Sequence, residues 1–325
     1  MRSRQLPLVV AVAMTAAACG DGGQAAGDDP APLLTASDLD RLPSDATAEE
    51  LAAAVSGGRR FAAEAYRELA GLSDGNAVFS PTSIRLALAM AWAGADGETA
   101  AQMAEALHLD LDPDDMHAAL NALDALLESR NRSEPPGPDG AERKVVLTIN
   151  NALWGQDGFG FLPEFLDTLA VEYGAGMNLV DFAADAEAAR VAINDWVADR
   201  TNDKISELIP AGVLSELTRL VLTNAVYLDA TWERPFSPDD TFDGPFTTLD
   251  GTGVTVPVMH RTGEMRYAAG DGWQSVEIPY VGGELAMVVL VPDPGRFAEI
   301  EADLAAILEA ARETELANVA LGLPK

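Results

Sequence analysis

The side chains best suited to chemistry are few in this chain and poorly spaced for it. His108, His117 and His260 lie far apart. None stands in H-E-x-x-H or a comparable ligand spacing, so no metal site is expected and surface positions are expected for all three. The sole cysteine, Cys19, rules out a disulfide framework, a zinc ribbon or a cysteine nucleophile within the folded part. There is no phosphate-binding loop ending in Gly-Lys. With 52 Asp and Glu against 21 Lys and Arg, carboxylate pairs are too common to single one out. No enzyme active site and no cofactor are expected.

What stands out instead is polar residues inside apolar runs. Ser80 and Ser83 open FSPTSIRLALAMAW, and Asn224 sits in the middle of TRLVLTNAVYL. A buried polar group costs on the order of a few kcal/mol unless it is hydrogen-bonded. Each could simply cap a helix or bond its own backbone, and the residue types by themselves favour that reading. The other reading is a built polar cluster.

The elements that would position them follow from pattern. Ser80-Pro81 predicts an N-cap with proline at the first helical position. Ile84, Ala87, Leu88 and Ala91 keep helical spacing, and Leu86, Ala89, Met90 and Ala93 fill the other side. A helix apolar all round is surrounded by protein or lipid, and this one is too short to span a bilayer. Gly94 is expected to end it, and Thr99 with Gln102 has capping-box spacing for the next helix. Helical patterns cover 48–71, 99–107, 113–127, 162–173, 186–199 and 297–313. Residues 130–143 read as a surface loop. Strand patterns cover 145–154, 218–228, 254–259, 265–267, 275–278, 285–291 and 319–323. Helices first and mainly strands later imply an α+β domain with more than one sheet.

Length and composition fit a globular chain: 325 residues, 48% hydrophobic and 22% charged. A formal charge of −31 argues against nucleic acid and anionic lipid surfaces as partners. Residues 1–18 carry Arg2 and Arg4, a short apolar run and then Ala16, Ala17 and Ala18, the order of a secretory signal peptide. Cys19 directly after three alanines resembles a bacterial lipoprotein cleavage box, which would make it the lipid-modified N-terminus. Ala16 stands where that box usually has leucine, so ordinary cleavage is the alternative. Residues 19–47 read as a flexible acidic tether, and the folded domain as 48–325. The expected location is secreted or on the cell envelope, with the membrane reached only through a lipid anchor.

The order F-S-P-x-S-I, A-L-A-M and G-A-x-G-x-T in 79–99 resembles the helix-B signature of the serpins, the serine protease inhibitors. Asn194-x-Trp196-Val197-x-x-x-Thr201-x-x-Lys204-Ile205 is similar to the family's segment between helix F and the sheet. Leu222-Thr223-Asn224-Ala225-Val226-Tyr227 followed by Trp232-Glu233-x-Pro235-Phe236 looks like strand 3 of sheet A and its turn. Val256-Pro257-Val258-Met259, Ile278-Pro279-Tyr280-x-Gly282 and Val291-Pro292 continue the likeness from about 60 to 325.

The resemblance implies the serpin fold, helices packed around several β-sheets. It also implies a suicide substrate of serine, and in some cases cysteine, proteases. In that mechanism the protease cleaves an exposed loop, is held as an acyl-enzyme, and the loop inserts as a strand in sheet A. Ser80, Ser83 and Asn224 match the shutter, where the sheet parts, and Trp232 matches the breach, where insertion starts. The hinge, reactive loop, last core strands and a shutter histidine would lie beyond Lys325. The chain therefore reads as C-terminally incomplete, with no reactive bond of its own. The helix at 113–127 lacks the basic residues with which some serpins bind heparin, so no glycosaminoglycan is expected. A monomer is expected. The rival readings are a non-inhibitory serpin-fold binding protein and a non-functional truncated product.

Overall fold

The structure, a computed structural model, describes residues 39–70, 75–137 and 140–325, with the backbone of 8–16 and 34–35. Cys19 lies outside the described residues. The chain forms two compact units, one made of Met1–Ser129 and Val146–Asp229, the other of Arg130–Val145 and Ala230–Lys325.

In the first unit the helices are α1 (Ala48–Ala70), α2 (Pro81–Trp92), α3 (Gly97–Leu107), α4 (Pro113–Glu128), α5 (Pro163–Tyr173) and α6 (Phe182–Arg200). Its strands are β1 (Leu8–Ala16), β2 (Leu34–Thr35), β5 (Met177–Val180), β6 (Leu220–Ala230) and most of β4 (Arg143–Gln156). They form one sheet in the order β1-β6-β4-β5-β2. β1 pairs with β6 in parallel, Leu8 opposite Leu220 through Ala16 opposite Leu228.

Helix starts follow local chemistry. Thr47 and Glu50 form a reciprocal capping box on α1: the Glu50 amide donates to Thr47 Oγ1 (3.3 Å) and the Thr47 amide to Glu50 Oε2 (2.7 Å). Ser80 caps α2 as its residue type predicts, its Oγ accepting from the Ser83 amide at 3.3 Å. Thr99 does not cap α3. Gly97 at φ +58° turns the chain there, so the helix starts earlier and Asp96 accepts from the Gly97 amide at 2.8 Å.

Two apolar layers flank α2. Leu86, Ala89 and Trp92 pack on Ala54, Leu107, Met116 and Leu120 of the surrounding helices. Ala87 and Met90 pack on the sheet through Leu153, Met177 and Leu222, with Phe165 and Leu169 of α5. On the opposite face of the sheet, Trp154 and Val221 meet Ile193 of α6. Asn194 of α6 ties down the following loop, accepting from the amides of Leu208 (3.0 Å) and Ile209 (2.9 Å) and donating to the Ile209 carbonyl (3.0 Å).

One sequence expectation fails here: His117 is buried, 5% exposed, and not on the surface. It lies on the inward face of α4, 5.0 Å from the Trp92 ring, with Nδ1 2.6 Å from the Tyr173 hydroxyl. The helical pattern over 113–127 did not show that Tyr173 of α5 supplies a partner for an imidazole between the buried Met116 and Leu120.

The second unit holds β3 (Arg132–Glu134) beside the start of β4, and a sheet of β7 (Thr241–Thr247), β8 (Gly253–Gly270), β9 (Trp273–Pro279), β10 (Ala286–Pro292) and β11 (Glu315–Pro324). Its order is β10-β9-β8-β11, with β7 also on β8. β8 runs unbroken where the pattern showed two short strands, because β11 pairs along it from Val258 to Tyr267 and bridges the polar interval. The single helical stretch expected at 297–313 is two helices, α7 (Phe297–Ala302) and α8 (Leu304–Ala310). Their Ile300 and Ile307 pack with Ala311 on Ala268 and Trp273.

Burial lowers the His117 pKa from 6.5 to about 4. The fold therefore holds the neutral ring, while the unfolded chain protonates it first. Stability is complete above about pH 6.5 and falls as pH drops toward 4, by roughly 3 kcal/mol for this group. Urea denaturation between pH 7 and 4 should show that decline, and His117→Gln should flatten it.

Candidate functional site

β6 alternates its side chains between two faces of its sheet, and that alternation sorts the polar pair. Thr223 points with Val221 toward α6, where its hydroxyl accepts from the Trp154 indole at 3.0 Å. Trp154 in turn meets the Trp196 ring edge-on at 5.7 Å. Asn224 points with Leu222 to the opposite face, beneath α2.

There the structure brings together two of the three expected shutter residues directly and the third through the backbone. Asn224 Nδ2 donates to Ser83 Oγ and to Asn151 Oδ1. Asn224 and Ser83 are both 0% exposed. Ser80 does not touch Asn224; it holds Ser83 by accepting from its amide, fixing the first turn of α2 over the strand. Asn151 of β4 is the member that sequence reasoning missed. The signal was present in VVLTINNALW, where Asn150-Asn151 interrupts an apolar strand just as Thr223-Asn224 interrupts the next.

The cluster is incomplete in one respect. Asn224 Oδ1 is buried and has no hydrogen-bond partner among the described residues. A buried acceptor left bare costs on the order of 1–3 kcal/mol, so this oxygen is a ready position for an incoming donor. One helix and two strands thus meet through exchangeable hydrogen bonds and not through interdigitated hydrocarbon alone.

In the second unit, Trp232 stacks on Tyr280, ring centroids 4.5 Å apart and planes 8° from parallel, and meets Phe236 edge-on at 6.3 Å. The two residues also form an isolated antiparallel bridge. Glu233 beside it is held on three sides. Its amide donates to the Pro279 carbonyl (2.9 Å), Arg143 Nη2 reaches Oε1 (3.3 Å), and the Gly282 amide donates to Oε2 (2.9 Å). Gly282 has φ +85°, and a Cβ there would strike the Arg132 guanidinium, which itself pairs with Glu284. Glycine at that position answers both demands. Among the described residues, no group of His, Cys, Asp and Glu is arranged to hold a metal.

A family model for the serpins, serine protease inhibitors, matches residues 56–325. The chain belongs to the serpin family. An uncharacterized serpin-like protein of Thermococcus kodakarensis is 40% identical over 271 residues, 82% of this chain and 59% of the relative. Leukocyte elastase inhibitor A of Rattus norvegicus is 38% identical over 236 residues, 72% of this chain and 59% of the relative. Among solved structures, emu (Dromaius novaehollandiae) ovalbumin superposes with a TM-score of 0.73 at 26% identity, covering 84% of this chain and 73% of that one. Cleaved Serpin 42Da gives 0.75 at 29%, covering 86% and 72%. The α+β serpin fold expected from the sequence is the fold observed. The chain spans 59% of the length of the two relatives. Membership in a family of protease inhibitors agrees with the expectation that this is no enzyme.

Asn224→Ala should destabilise the protein by about 2–3 kcal/mol, since it removes the donor shared by the buried Ser83 Oγ and the half-buried Asn151 Oδ1. Asn151→Ala, at a half-buried position, should cost about 1–2 kcal/mol. Chemical denaturation of both variants and the double variant should show strong non-additivity, the sign of one shared network.

Proposed function

We propose that the complete protein inhibits serine-type endopeptidases as a suicide substrate, holding the cleaved enzyme as an acyl complex while its own loop joins the sheet as an added strand. The observation that carries this reading is the Asn224 cluster, a hydrogen-bonded joint with an open acceptor beneath α2. Polar partners of this kind can be exchanged when strands separate, at less cost than exposing bare hydrocarbon. Two relatives, leukocyte elastase inhibitor A and, at 34% identity, antithrombin-III of Mus musculus, support by name a protease as partner.

β6 is the strand on which insertion would act in this proposal. Its edge already pairs with β1 along its length, Val12 opposite Asn224. In the exported form proposed here, cleavage after residue 18 removes β1 and frees that edge beside the polar joint. Trp232, stacked on Tyr280, would mark where insertion begins. The same proposal places the protein outside the cell, secreted or held at the envelope by a lipid on Cys19, as a monomer.

Mixing the complete gene product with a panel of serine proteases tests the mechanism. A complex that survives boiling in detergent, with release of a short C-terminal peptide, is the expected outcome. Simple cleavage without a complex would overturn it and leave a non-inhibitory serpin-fold protein. For the anchor, intact-mass measurement of exported protein should show a diacylglycerol on Cys19, and Cys19→Ser should release the protein from membranes.

A further inference from the structure

Residues 39–47, just ahead of α1, form neither helix nor strand, yet they are bound to two helices. Arg41 lies on α4. Its Nε donates to Asn121 Oδ1 (2.9 Å), Nη2 to the Asn121 carbonyl (3.1 Å) and Nη1 to Asp124 Oδ2 (2.8 Å). Leu42 turns to α5, its amide donating to the Val171 carbonyl (3.0 Å). Ser44 returns to α4: its hydroxyl donates to the Ala118 carbonyl (2.7 Å) and accepts from the Ala46 amide (3.1 Å). Ala46 then packs on the cluster that holds Leu86 and Trp92.

Asn121 is the centre of this arrangement. It is 2% exposed, and its Nδ2 donates both to the Leu42 carbonyl (3.0 Å) and to Glu172 Oε2 (3.1 Å). Both N–H groups of one amide thus hold the segment and α5 against α4. His117, one turn earlier on the same face of α4, reaches Tyr173 of α5 in the interior. The two helices therefore share an inner contact, His117 with Tyr173, and an outer one completed by Arg41 and Leu42. The end of α5 leaves space for the outer contact, since a Cβ at position 174 would lie 3.0 Å from Arg41 Cδ.

The outer contact is built unlike a core. Leu42 is 57% exposed and Pro43 is exposed, so the segment keeps one side in water and is held mainly by hydrogen bonds. Such bonds exchange with water at small net cost, and segments held this way open while the core stays folded. What the segment holds is part of the sheet. α5 leads through Gly174 into β5, which pairs in parallel with β4 from Leu153 opposite Met177 to Gln156 opposite Val180. The other edge of β5 takes β2, Leu34 opposite Leu179 and Thr35 opposite Asn178. The chain ahead of α1 thus meets one helix–strand pair twice, at β5 and at α5.

We propose that residues 39–47 are a releasable strap that clips α4 to α5 and thereby holds β5 in the sheet, so that whatever pulls or cuts the chain ahead of the domain acts on that edge of the sheet. Docked, the strap fixes the end of α5 through Leu42 and Asn121. Lifted, it leaves α5 on α4 by the inner contact alone and loosens β5. The proposal stands apart from the protease reading and from a lipid on Cys19, because its test reads neither.

Hydrogen–deuterium exchange of the intact chain, followed by mass spectrometry, tests it. Burial pushes the Asp124 carboxyl above its ordinary value and Arg41 beside it pulls it back, so removing Arg41 alone would strand that carboxyl. The main variant therefore neutralises both, Arg41→Gln with Asp124→Asn. In the native chain the amides of 39–47 should exchange about tenfold or more slower than an unstructured chain. The double variant should remove that protection and speed exchange across 163–180, α5 and β5, about threefold or more, with α6 unchanged. Ser44→Ala, which loses one hydrogen bond and no charge, should give the same pattern at smaller amplitude and serves if the double variant fails to fold. Exchange of 39–47 at the unstructured rate in the native chain overturns the proposal. So does a variant that frees 39–47 and leaves 163–180 unchanged, or one that speeds α6 equally, the mark of general destabilisation.

Discussion

Much of the first unit depends on burying α2, a helix with no fully exposed residue. α2 places Leu86, Ala89 and Trp92 on the helical layer and Ser83, Ala87 and Met90 on the sheet. Close packing on both sides fixes its position within a fraction of a residue diameter. A polar atom on either side therefore has no freedom to find water. Ser83 and Asn224 must satisfy each other, and Arg85 must find carbonyls, because α2 has nowhere else to put them.

That constraint explains why the two polar features on α2 differ in kind. On the sheet side the partners are neutral amides and hydroxyls, three groups sharing donors across one helix and two strands. Such a joint is specific without being strongly cohesive. On the helical side the partner is a full charge, fixed by three carbonyls and by two glycines that permit its approach. It locks α1, α2 and α3 together.

The second unit uses a different device. Its long strand β8 gathers β7, β9 and β11, and its corner at Trp232 is closed by stacking and by Glu233. Glu233 is held by an arginine and two backbone bonds, and Gly282 is the one residue type whose backbone and missing Cβ allow Arg132 so close. The pattern Trp232-Glu233 with Tyr280-x-Gly282, separated by nearly fifty residues, is one physical contact read in two pieces.

Sequence alone determined the class of fold, most helices and strands, the Ser80 cap, and the fact that Ser83 and Asn224 sit in apolar surroundings. These follow from local periodicity and from steric preferences that neighbours in the chain decide. It could not determine which buried polar groups meet. Asn151 joins Asn224 only because β4 and β6 lie side by side in the sheet, and His117 goes inside only because Tyr173 arrives from another helix. Likewise Arg85 is a buried cation only because its partners come from α1 and the end of α3. Composition and spacing record what each segment prefers. The pairing of distant polar atoms is settled only when packing has removed water from between them.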